Sequence, residues 1–92
     1  MNGAELKSIR MALGASQAVF GAALGYTGGS KARARVVRRL QDGTRRIWPA
    51  VANLARWYER NGLDAEKPPY VLAWLAERQS DNLGDNASDT VS

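Results

Sequence analysis

Seven of the thirteen Lys and Arg residues in this 92-residue chain fall between Lys31 and Arg46, and that span holds one acid, Asp42. On a helical wheel Lys31, Arg35, Arg38 and Arg39 share one side, and Val36, Val37 and Leu40 share the other. Guanidinium forks at helical spacing suit a particular chemistry: paired N–H donors for phosphate oxygens, or for the O6 and N7 acceptors of guanine. A disordered basic arm would not sort its valines from its arginines, so a folded element that aims its charge is expected. Arg33 falls on the apolar side and is therefore expected at the exposed start of the helix, clear of the core. By charge alone Lys31 and Arg33 are phosphate candidates. The competing readings of this face are a solvated helix surface and a dock for an acidic protein.

Other chemistries lack their residues. With no Cys there is no disulfide and no thiolate metal site, and with no His the commonest acid-base group near neutral pH is missing. No convergent pair of acids is visible, so an enzyme is not expected, nor a metal, a cofactor or a small-molecule ligand. Residues 1–80 carry all thirteen cations and six of the nine acids, a balance of +7, and Asp81, Asp85 and Asp89 follow with no cation. A basic body favours a polyanionic partner. No apolar run approaches the ~20 residues of a membrane span. The first residues lack the basic start and apolar core of a signal peptide, so a cytoplasmic protein is the default expectation.

The elements that must hold the arginine face are helical throughout. No alternating strand pattern appears, and the spacing predicts an all-α chain, a compact bundle of about five short helices. Asn2 and Glu5 are spaced as a capping box for a first helix carrying Leu6, Ile9 and Leu13, with Gly14 as its stop. Ser16 is the expected cap of a second helix that buries Phe20, Ala23 and Leu24 and ends at Gly25. Gly21 is out of place, because mid-helix glycine costs about 1 kcal/mol relative to alanine; a neighbouring helix passing too close for a side chain would account for it. Ser30 is the expected cap of the third helix, which stops before Gly43. Pro49 suits the first turn of a fourth helix bearing Val51, Leu54 and Tyr58, with Trp57 turned to a different side. A fifth helix is expected from Tyr70 to about Gln79. Residues 1–79 then form one domain, and 80–92, rich in Ser, Asp, Asn and Gly, a disordered acidic tail.

Two short helices joined by a turn, the second crowded with arginine, follow the plan of a helix-turn-helix. The segments "LKSIRMALGASQAVFGAALGY" and "VVRRLQDGTRRI" resemble the Cro and phage-repressor family, also called the XRE family, over about half the chain. Leu6, Arg10, Leu13, Gly14, Ser16 and Gln17 match its first helix and the start of its second. Gly21 stands where the two motif helices touch, Gly25 at the turn glycine, and Val37 and Leu40 at the positions that seat the recognition helix. Two departures stand out. About six extra residues near Gly28 to Arg33 lengthen the turn, so that either the recognition helix begins a turn early or the loop itself touches phosphates. Gln41 stands where the family often pairs a glutamate with the arginine at Arg10, which leaves a hydrogen bond in place of an ion pair.

The resemblance implies a sequence-specific regulator of transcription that binds double-stranded DNA, a repressor or autoregulator of phage, prophage or antitoxin type, on a palindromic operator. It puts Arg35, Arg39 and Ala34 at base edges, with Arg38 beside them, and Gln17, Thr44, Arg45 and Arg46 at phosphates. A homodimer is expected, with Tyr70, Val71, Trp74, Leu75 and Trp57 forming its surface; the competing reading puts these side chains in a core sealed within the monomer. The rival functions are a protein-binding adaptor or inhibitor on the same fold, and an accessory protein of phage DNA packaging or recombination.

Overall fold

Asn2 opens the first helix, α1 (Gly3–Ala12), as a complete capping box. Its side chain accepts from the Glu5 N–H at 2.8 Å, and Glu5 Oε1 accepts from the Asn2 N–H at 3.4 Å. The second helix, α2 (Gln17–Ala23), starts under Ser16, whose Oγ accepts from the Val19 N–H at 3.1 Å. The third, α3 (Ser30–Asp42), ends at Gly43, whose φ of 85° lies in the left-handed region that closes helices and that a Cβ disfavours. The fourth, α4 (Pro49–Asn61), takes Pro49 into its first turn, where the missing N–H costs nothing. A fifth, α5, occupies 69–77. The computed structural model describes residues 1–77, and among these no strand occurs. Over these described residues the chain is a compact all-α bundle of five short helices.

The core gathers around α4. Leu6 and Ile9 of α1, Phe20 and Leu24 of the α2 region, Val37 and Leu40 of α3, and Val71 of α5 are buried with Val51, Leu54 and Tyr58 of α4. At about 1.5–3 kcal/mol for each large side chain taken out of water, this cluster is the main force holding five short helices together. Tyr58 is 1% exposed, and its hydroxyl donates to the Ala23 carbonyl at 2.6 Å, tying α4 to the end of α2. Burial pushes its phenol up to about 12.

Close backbone approaches explain two glycines. A Cβ on Gly21 would stand 3.0 Å from both Cβ and O of Arg33, so α3 crosses α2 where a side chain has no room. A Cβ on Gly3 would overlap the carbonyl of Gln41, so α1 passes still closer to the end of α3.

Several expectations need correction. Gly29, not Ser30, is the cap of α3; it makes no side-chain cap bond, and Ser30 is already helical. The fifth helix begins at Pro69, one residue before Tyr70, and its expected end near Gln79 lies outside the described residues, as does the acidic tail. Trp57, on a different side of α4 from Val51, Leu54 and Tyr58, belongs to the core and not to an open surface. It is 4% exposed beside Tyr58, with their rings edge to face at 5.6 Å, because α4 is covered on both of these sides.

Candidate nucleic-acid interface

The arginine face is set by what α3 buries. Val37 and Leu40 are fully buried, and this anchors the helix about its own axis. Lys31, Arg35, Arg38 and Arg39 are then left exposed on the opposite side. Arg35 and Arg39, four residues apart, are neighbours about 6 Å apart along the axis. Among the described residues no carboxylate lies within ion-pair range of these four side chains. Ala34 is half-buried at the edge of the face, and Gln17 is half-buried at the start of α2.

Arg33 departs from its expected place. It is half-buried and packed against α2, with Nε donating to the Ala18 carbonyl at 3.2 Å and Nη1 donating to the Gly28 carbonyl at 2.6 Å. The reason is steric: Gly21 removes the Cβ that would keep α3 away, so the Arg33 stem runs along α2 and its head closes the connection at 24–29. Its position on the apolar side of the wheel was the visible signal. The guanidinium is spent on the turn rather than presented beside Lys31.

Arg10 and Gln41 meet as the sequence suggested. Arg10 Nε donates to Gln41 Oε1 at 2.8 Å, and Arg10 Nη1 donates to the Ala15 carbonyl at 2.9 Å. One arginine thereby joins α1, the α1–α2 turn and the last turn of α3.

Beyond α3 the chain forms a second basic edge. The Asp42 carboxylate accepts from the Thr44 hydroxyl at 2.7 Å and from the Thr44 N–H at 2.9 Å. These bonds, with Arg39 and Arg38 nearby, hold its carboxyl below the usual range. The Arg45 N–H donates to the Arg39 carbonyl at 3.1 Å, which fastens this loop to α3. Arg45 lies over the Tyr26 ring at 5.3 Å and Arg46 over the Trp48 ring at 4.1 Å.

The chain matches no protein-family model, no curated protein and no solved structure. The likeness to the XRE family therefore rests on the ordered residues quoted above.

The expected dimer surface is divided by the fold. Val71 is fully buried and Trp57 nearly so, both in the chain's own core, so neither is available to a second copy. Trp74 and Leu75 are half-buried against that core. Tyr70 remains 56% exposed, with its hydroxyl 3.3 Å from the Trp57 indole nitrogen and its ring edge to face with Trp74 at 5.3 Å. Apolar spacing on a short helix cannot distinguish an internal face from one meant for a partner. Sequence reasoning also passed over Trp48, which is 40% exposed beside the basic loop; its signal was an aromatic residue two positions from an arginine.

Proposed function

We propose that the protein is a sequence-specific regulator that binds double-stranded DNA, with α3 as the recognition helix in a major groove. What carries the reading is the division of α3: Val37 and Leu40 fully buried, Arg35 and Arg39 exposed on the other side. Arginine forks discriminate guanine by ~1–3 kcal/mol per good bidentate pair, so a G-containing site is expected. Arg38 extends the same face, Ala34 offers only a methyl contact, and Gln17, Lys31, Arg45 and Arg46 grip phosphates, whereas both donors of Thr44 are held by Asp42. The likeness to the Cro and phage-repressor family favours a repressor or autoregulator, acting in the cytoplasm by occupying an operator. Among the described residues no helix is long and apolar enough to cross a membrane.

A two-fold dimer on a palindrome belongs to this proposal, because one short helix contacts few base pairs. Its half-sites would lie about 34 Å apart, one turn of the duplex. With Trp57 and Val71 committed to the monomer's core, exposed Tyr70 is the part of the expected surface best placed to meet a second copy.

Selection of binding sites from random duplex DNA tests the whole. The expected outcome is a short G-containing motif, repeated about an axis, whose recognition collapses in Arg35→Ala and Arg39→Ala. Enrichment of no motif, or an unchanged motif in both variants, would overturn the reading. An adaptor for acidic proteins would give the first of these results.

A further inference from the structure

We propose that Trp48 is a positioning residue of the DNA-gripping edge, holding the Arg46 guanidinium ready for a phosphate. The inference rests on the DNA-binding reading and deepens it.

Ile47 packs against the core, whereas Arg46 and Trp48 on either side of it are exposed. With Ile47 drawn toward the core, its two neighbours are both left at the surface, close enough to meet. The outcome is Arg46 with its guanidinium carbon 4.1 Å from the centroid of the Trp48 ring.

That distance is one of face-to-face stacking, and a guanidinium stacked by its face keeps its N–H donors, which lie around the edge of the plane, for other acceptors. Arg46 can thus stay on the indole and bind a phosphate at the same time. A free arginine gives up rotamer freedom when it docks, whereas one already resting on a ring has less left to lose.

Two further observations set Trp48 apart from a packing residue. It is 40% exposed, against 4% for Trp57, so the core does not require it. It also occupies the N-cap of α4 without making a side-chain cap bond, at a position where Ser, Thr, Asp or Asn would stabilise the helix. The stack supplies a role that capping does not. The pair also adjoins the arginine face, since the Arg45 N–H ties the same loop to the Arg39 carbonyl.

The test uses the full chain and its Trp48→Ala, Trp48→Phe, Arg46→Ala and doubly substituted forms, titrated with a selected duplex and with random duplex. Trp48→Ala should weaken both duplexes about two- to fivefold, the scale of one exposed cation–π contact, with thermal unfolding little changed. Trp48→Phe should recover most of the loss. The double variant should bind no worse than Arg46→Ala alone. Without DNA, Arg46→Ala should alter the tryptophan emission of the parent chain but not that of Trp48→Phe. Parent-like affinity in a folded Trp48→Ala, or losses from the two sites that multiply, would overturn the proposal while leaving the DNA reading intact. A parent chain that binds no duplex at all overturns both.

Discussion

Arg10 of α1 and Gln41 of α3 are joined by a 2.8 Å hydrogen bond across thirty-one positions of sequence, on the border of the core. The bond fixes the last turn of α3, and with it Arg38 and Arg39, relative to α1.

Gln41→Ala should cost about 1 kcal/mol, because it strands a half-buried guanidinium N–H whose neighbour still holds the Ala15 carbonyl. Gln41→Glu should match or exceed the parent, since a carboxylate on a guanidinium is a stronger bond than an amide. Urea unfolding of the three chains gives the order. A Glu variant less stable than the Ala variant would show that the pair tolerates no charge.

The two close-approach glycines should respond unequally. Gly21→Ala gains about 1 kcal/mol of helix propensity and loses about 1–3 kcal/mol to overpacking against Arg33, so a small net loss is expected. Gly3→Ala brings a Cβ into the Gln41 carbonyl itself, which cannot rotate aside, and should cost more even though it lies near the chain end. Melting temperatures of both variants decide it, and a rise in either would mean that α3 shifts more freely than its packing implies.

Arg33 and Arg35 are two residues apart and should behave as opposites. Arg33→Met removes donors from the Ala18 and Gly28 carbonyls and should cost about 1 kcal/mol, with faster amide exchange across 24–29. Arg35→Met alters an exposed side chain and should leave stability within about 0.5 kcal/mol while relaxing the preference for guanine at one position of the site, by about 1–3 kcal/mol. Stability and binding measured on the same two preparations separate the roles. If Arg33→Met is as stable as the parent, the guanidinium does not hold the turn.

Tyr58 gives the fold an alkaline limit. Its phenol is pushed up to about 12 from the ordinary 10.0 by burial. The folded state therefore favours the protonated form; that stabilisation is complete below pH 10.0 and is lost as pH climbs toward about 12. Tyr58→Phe loses the bond to the Ala23 carbonyl, about 1 kcal/mol at neutral pH, and should show a weaker decline over this window. Denaturant midpoints taken at intervals from pH 9 to pH 12 would show the two curves converging; parallel curves would mean that the phenol ionises in the folded chain as it does in water.

Local spacing carried most of the architecture. The Asn2 and Glu5 pair, the Ser16 cap, the stop at Gly43 and the division of α3 into valine and arginine sides are all decided within a few residues. Backbone hydrogen bonding and the 3.6-residue turn act at that range, so their signals lie in neighbouring letters. The place of Gly21 was legible for the same reason, as a residue whose cost required a close neighbour. What the letters could not settle were contacts between elements distant in sequence. Arg33 had to sit over Gly21 before its guanidinium could turn back onto Ala18 and Gly28, and only the packing of α3 on α2 puts it there. Trp57 and Val71 carry apolar signals that fit a partner surface as well as a core, and the docking of α5 on α4 buried both. The Arg46 and Trp48 stack depends on Ile47 being drawn into a core built by all five helices. Burial is a property of the assembled chain, since the same hydrophobic driving force acts on any apolar face and only the other helices determine which face is covered.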